Sequence, residues 1–170
     1  NYNWKILEKV NKSLNFKQKM KRNLMKILVI FLLLFLAGCA KNFDAVSIDN
    51  GKDLIKINVE IADDNNERAK GLMFRERLNE NDGMFFIFDE ENYQTFWMKN
   101  TLIPLDMIFI GEDLEIVDIK NAVPCKEEPC FLYKSSKPAK YVLEANQGFA
   151  AKNGIETGDK IILNGKILKR

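Results

Sequence analysis

Histidine is absent from this chain, so its chemistry rests on carboxylates, lysines, arginines and three cysteines. That excludes Ser-His-Asp and Cys-His catalysis, imidazole zinc ligation and histidine acid/base work near neutral pH. Two acids stand alone in apolar strand-like runs: Asp106 between Leu105 and Met107, and Glu144 between Leu143 and Ala145. A carboxylate in such a place must face solvent, a polar cleft or a cationic partner. If the two flank one cleft, they form the general acid and base, or acid and nucleophile, of a glycosidase-like hydrolase or lyase. If not, they are solvated or ion-paired structural groups.

Around Trp97 the residue types suggest binding. In an extended segment Trp97, Lys99 and Thr101 share one face, and Phe96, Met98 and Asn100 the other. Indole beside an ammonium and a hydroxyl suits a planar or sugar ring carrying a polar substituent. The bland alternative is a core-capping Trp97 with Lys99 lying over it, and an Asn100 that satisfies backbone groups at the Pro104 bend. Arg68 and Arg75 are seven residues apart, nearly aligned if one helix carries both, and could grip a carboxylate or phosphate; internal salt bridging is the competing use. Ser135, Ser136 and Lys137 fall in a loop, a poor setting for a serine–lysine dyad. No GxGxxG, P-loop or EF-hand pattern occurs, and neither a metal nor a cofactor is expected.

The chain has 170 residues, 46% of them hydrophobic and 11% aromatic, enough for one core and too apolar for wholesale disorder. Its first 38 residues are different in kind. They hold eight basic residues and one acid, then the unbroken apolar run Ile27–Ala37. At 11 residues the run falls short of the roughly 20 that cross a bilayer, and its flanks are those of a secretory signal peptide. Leu36-Ala37-Gly38-Cys39 is similar to the lipobox of bacterial-type lipoproteins, where cleavage precedes a cysteine that then carries lipid. Met20 or Met25 would each open a conventional leader, leaving residues 1–19 as an extension or a long basic region.

Three further expectations follow from this address. Taking the eight bases and one acid of residues 1–38 from totals of 26 and 24 leaves 18 and 23, a net charge of −5, which excludes the electrostatic footprint of a nucleic-acid binder. With Cys39 lipidated, Cys125 and Cys130 remain as a pair. Outside the cytoplasm they are expected to form a disulfide, with a redox-active pair as the alternative. Residues 39–45 then make a lipidated tether, reaching at most roughly 25 Å from the membrane, to a single domain at 46–170.

Within that domain Ile55–Ile61 alternates apolar and polar residues, and Asn50-Gly51 suggests a hairpin to Val46–Ile48. Asp63 or Asp64 starts a helix, with Glu67 three residues after Asp64 as in a capping box, and Ala69, Leu72 and Met73 are its expected buried stripe. Met84–Phe88, Thr95–Lys99, Leu105–Ile110, Leu114–Lys120, Tyr141–Ala145 and Lys160–Leu163 read as strands, with a short helix from Gln147 to about Asn153. The prediction is mainly β: a compact antiparallel β-sandwich or barrel with two short helices.

Several segments carry a resemblance. They are Arg68-Ala69-Lys70-Gly71-Leu72-Met73, Gly83-Met84-Phe85-Phe86, Phe96-Trp97-Met98-Lys99-Asn100-Thr101 and Pro104-Leu105-Asp106, then Cys125, Cys130, Tyr133, Tyr141-Val142-Leu143-Glu144, Gly148 and Gly158-Asp159. Together they resemble the domain of unknown function 192 family over most of residues 39–170. The resemblance implies a β-sandwich of jelly-roll character, often behind a signal peptide, and supplies no reaction and no catalytic residue. The sequence therefore predicts a membrane-anchored, extracytoplasmic lipoprotein domain. Its expected role is non-catalytic binding of a small ligand, a glycan or an envelope protein, with Arg68, Trp97, Lys99, Asn100 and Asp106 as the site. A carboxylate-dependent hydrolase or lyase using Asp106 and Glu144, and a purely structural envelope component, are the alternatives.

Overall fold

The structure, a computed structural model, describes Glu8, Lys12, residues 20–26, residues 44–164 and Ile167. Residues 20–26 are helical and exposed. The apolar run 27–37 and Cys39, on which the leader and lipid-anchor expectations rest, lie outside the described residues. No helix among the described residues is long and apolar enough to cross a membrane.

The predicted β class is correct. Seven strands form one sheet: β1 (Asp44–Asp49), β2 (Leu54–Ala62), β3 (Asp82–Asn92), β5 (Leu105–Ile110), β6 (Ile116–Ala122), β8 (Ala139–Asn146) and β9 (Lys160–Leu163). Their order is β6-β5-β8-β3-β2-β1-β9. A separate two-stranded ribbon pairs β4 (Thr95–Trp97) with β7 (Leu132–Lys134). Two short helices complete the domain, α1 (Asn65–Lys70) and α2 (Phe149–Lys152). The sheet curls into a half-barrel because its edges meet: Glu115 bridges Lys160, and the amide of Ile161 donates to the carbonyl of Leu114 at 2.8 Å.

All sheet neighbours run antiparallel except β2 and β3, which are parallel with Val59 opposite Gly83 and Ile61 opposite Phe85. The exception has a local cause. A helix lies between these two strands, and a parallel pair needs such a crossover. Asp64 caps α1 by accepting from the amides of Asn66 and Glu67, and Glu67 reaches back to the amide of Asp63. That satisfies orphan donors from both sides, as in a capping box. The helix stops at Gly71, whose φ of 47° favours glycine. The expected buried stripe reduces to Leu72, because Ala69 is exposed on a helix only six residues long.

Each face of the sheet carries a core. Ile57, Val59, Phe85, Ile108 and Leu143 pack with Phe149 of α2 on one face. Met84, Phe86, Met107, Phe109 and Val142 pack on the other, beneath Leu72, Met98 and Tyr133. Burial on both faces explains why β3 and β5 read as continuous apolar runs. Phe96 plugs the second core from the ribbon, meeting Phe86, Phe88 and Phe109 edge-on at centroid distances of 5.1, 6.2 and 6.0 Å. Cys125 and Cys130 are joined in a disulfide just before β7.

Candidate functional site

The second core contains a row of side chains that crosses five strands. Glu60 lies opposite Met84, Met84 opposite Glu144, Glu144 opposite Met107, and Met107 opposite Lys120. Directly opposed residues share a face, so Glu60 and Glu144 stand on the same side with Met84 between them. Their environments separate them. Glu60 accepts two bonds from the guanidinium of Arg75, at 2.5 and 2.6 Å. Glu144, only 5% exposed, has no hydrogen-bond partner among the described residues. Burial pushes its carboxyl up to about 8, against the opposing charge of Arg75. At neutral pH it is mostly the acid, a group with one donor and an acceptor.

Glu144 faces a cleft of about 30 Å³, lined also by Arg68, Gly71, Leu72, Phe86, Phe96, Trp97 and Thr101. Gly71 is favoured here by its backbone, at φ 47° and ψ −136°, and it borders the cleft at ordinary contact distance. A β-carbon in its place would touch the ring of Phe86 at 3.4 Å and come within 4.0 Å of Oε2 of Glu144. Backbone in sparsely populated conformations shapes the rim. Phe74 and Asn100 both have positive φ, 62° and 57°, and the amide of Phe74 donates to the carbonyl of Asn100 at 2.8 Å. Two adjoining non-glycine residues in this region persist only where the surroundings over-determine them, and such residues gather at binding sites.

The expected site residues divide. Trp97 lines the cleft and is 48% exposed, so it does not cap the core. Lys99 stacks on it, ammonium 5.5 Å from the ring centroid, and also pairs with Glu128 at 2.5 Å. The strand ends at Trp97 rather than Lys99, so the predicted alternation of faces fails beyond it. Asn100 does not line the cleft. It contributes its carbonyl to the rim, while its side chain approaches the sulfur of Met73 at 3.9 Å. Arg68 lines the cleft with its hydrogen bonds already committed: to the carbonyls of Asp63 and Ile87 and the side chain of Asn65, each at 2.7 Å, with its guanidinium over Phe88. Arg68 and Arg75 do not align, because the helix ends between them.

Asp106 is a correction. In the β5–β8 ladder it lies opposite Ala145, while Glu144 lies opposite Met107. The two acids therefore leave opposite faces, and the expected catalytic pair is not assembled. Fully buried, Asp106 accepts from Asn121 at 2.6 Å and from the amides of Gly148 and Ala150 at 3.1 and 2.9 Å. It thereby caps α2, which has no capping side chain of its own. Ser135 accepts from the amide of Gln94 and is likewise structural. Sequence reasoning set Thr101 beside Trp97 but missed Gly71 as a cleft residue and the Glu60–Arg75 clamp; a glycine directly after a capped helix was the available signal for Gly71.

A larger groove of about 600 Å³, lined by Glu91, Glu112, Asp113, Glu115 and Lys137 among others, is an open acidic surface with no buried functional group. No cluster of three or more acidic or cysteine side chains suited to a metal occurs among the described residues.

Comparisons with known proteins agree with this architecture. The DUF192 family model, described as "Uncharacterized ACR", matches residues 46–163. A UPF0127 protein of Pyrococcus furiosus is 28% identical over 127 residues, covering 72% of this chain and 99% of its own. A crystal structure from Sinorhizobium meliloti, of a protein provisionally described as a transcription regulator, is 35% identical with a TM-score of 0.68, covering 75% of this chain and 98% of that one. A protein of unknown function from Novosphingobium aromaticivorans is 38% identical with a TM-score of 0.67, covering 74% and 89%. With the family model spanning most of the chain and the half-barrel shared with both crystal structures, the chain belongs to the uncharacterised DUF192 (UPF0127) family.

Proposed function

We propose that this protein is a membrane-anchored, extracytoplasmic binding domain that takes a small ligand in the cleft between Trp97 and Glu144. One observation carries the binding role: Glu144 is a largely buried carboxyl that lines a cleft and receives no hydrogen bond from the described residues. No fully buried side-chain polar atom among the described residues lacks a partner, so the carboxyl oxygens of Glu144 open onto the cleft. A fold that keeps such a group beside a half-exposed tryptophan has a use for it. Thermal-shift screening of the chain against glycans, metals and envelope fragments tests the role. A stabilising ligand is expected, and Trp97→Ala and Glu144→Ala should each remove its shift. A shift that survives both substitutions would move the site elsewhere.

The anchoring half rests on the basic flank, the apolar run and Cys39, and is supported by a disulfide suited to an oxidising compartment. Two or more acyl chains on Cys39 give stable attachment where one gives only marginal binding. Intact-mass analysis of native material should find residues 1–38 removed and acyl chains on Cys39; an unmodified amino-terminal extension would overturn anchoring. The acid excess after residue 38 argues against a nucleic-acid partner.

A hydrolase or lyase is the second reading, and one feature favours it: a carboxyl held near 8 is suited to donate a proton as a general acid. Among the described residues no second carboxylate joins Glu144 in the cleft lining. Asp106 is on the opposite face, and Glu60 is clamped by Arg75.

A further inference from the structure

The cleft sets narrow terms for what enters it. Its interior of about 30 Å³ is on the order of two water positions, so a group of two or three heavy atoms fits and a sugar ring does not. Leu72, Phe86 and Phe96 make apolar walls. The polar side chains that end there without strong partners are the carboxyl of Glu144 and the hydroxyl of Thr101, whose recorded bond, to the carbonyl of Lys99, is a long 3.5 Å. Trp97 is the exposed aromatic of the lining, with indole surface for a ring that remains outside.

Charge narrows the choice. An ammonium would meet Arg68 and Lys70 in the lining and Arg75 behind Glu144. An anion would find Arg68 and Arg75 already bonded to other acceptors, and Lys70, the remaining cation of the lining, is held in solvent. A neutral group remains. The acid form of Glu144 and the hydroxyl of Thr101 each offer a donor and an acceptor, and a trans secondary amide, whose N–H and C=O point opposite ways, can engage one group with each end. Its acyl methyl would take the apolar walls.

We infer that this cleft is a subsite for the N-acyl group of an amino sugar: the acyl tip lies against Leu72 and Phe86, the amide hydrogen-bonds to Glu144 with one end and to Thr101 with the other, and the sugar ring rests on Trp97. The inference rests on the binding role proposed above and adds the ligand class. Trp97 and Glu144 then divide the work, the first recognising any sugar ring and the second the acylamido substituent.

Calorimetric titration of the full chain at mildly acid pH tests it, using three tetrasaccharides: of N-acetylglucosamine, of glucosamine, and of β-linked glucose. The first should bind at least about tenfold more tightly than the other two. Glu144→Gln, whose carboxamide keeps a donor and an acceptor, should bind it within about threefold of the parent, and Glu144→Leu should weaken it at least about tenfold. Circular dichroism of both variants reports whether each is folded. Equal affinity for all three sugars, lost in Trp97→Ala, would overturn the acyl subsite and leave the binding role standing. Absence of binding by all three would also overturn the subsite, and the thermal-shift screen then decides the binding role by itself. Tight binding that Glu144→Leu leaves unchanged would place the acyl group elsewhere.

Discussion

Asp106 and Glu144 lie one residue out of step in the ladder that joins β5 to β8, Asp106 opposite Ala145 and Glu144 opposite Met107. The offset sends one carboxyl into a helix cap and the other into a cleft. Because side chains alternate across a strand, a shift of one residue moves a group to the other face. The two acids therefore have separate jobs, and substitutions at them should have separable effects.

Asp106→Asn should destabilise the domain and spare binding. Asp106 receives three donors, two of them amides at the start of α2, and an asparagine amide would turn N–H toward some of them. Losing a charge-assisted buried cap costs about 2–3 kcal/mol. Urea unfolding should show that loss. Unchanged stability with abolished ligand binding would place Asp106 in the site after all.

Glu144→Gln should stabilise the domain, by an amount that depends on pH. Between an ordinary value of 4.5 and about 8 the folded chain holds a proton that the unfolded chain has released. Stability conferred by the parent residue therefore falls as pH rises through that window, and levels off above it. The charged groups around the carboxyl are Arg68 and Lys70 in the lining, with Arg75 and its partner Glu60. They are common to parent and variant, so the difference between the two profiles isolates Glu144. The variant's advantage should be near zero below pH 4.5 and grow to several kcal/mol, on the order of 4, by about pH 9. Parallel stability profiles for the two proteins would contradict a neutral buried carboxyl.

Gly83→Ala should be costly although the residue stands at the start of a strand. A β-carbon there would come within 2.6 Å of the carbonyl oxygen of Glu144, a backbone atom with nowhere to go. The close approach of β3 to β8 would have to open. A loss of roughly 2 kcal/mol or more is expected in chemical denaturation, in the range of overpacked cores. An alanine variant as stable as the parent would show that the two strands have slack.

Replacing Cys125 and Cys130 by serine should lower stability by about 2 kcal/mol, the loop-closure value for so short a ring. The disulfide closes the loop that enters β7, where Leu132 opposes Trp97. Ligand affinity should therefore fall along with stability. Two freely alkylated thiols in the native protein would dismiss the pairing.

Much of the fold could be read from the chain because its signals were local. Asp64 and Glu67 announced the helix, the Ile55–Ile61 alternation gave β2, and the apolar runs at Met84 and Leu105 marked strands buried on both faces. What was hidden is non-local. β7 is three residues long and exists by pairing with β4. The parallel β2–β3 pair and the Glu60–Arg75 clamp join segments that chain spacing does not relate. Trp97 and Glu144 were recognisable as unusual residues, an aromatic beside a lysine and an acid among apolar neighbours. Asp106 looked the same as Glu144 along the chain, and strand register alone separates their roles.

The state of one carboxyl decides whether the cleft is a binding site, and carbon NMR of the labelled side chain, assigned with Glu144→Gln, reads it. The Glu144 carboxyl should remain protonated through neutral pH and titrate near 8. A midpoint near 4.5, the value of an ordinary solvated glutamate, would mean that the group is neither buried nor unpaired, and would remove the cleft's claim to be the binding site.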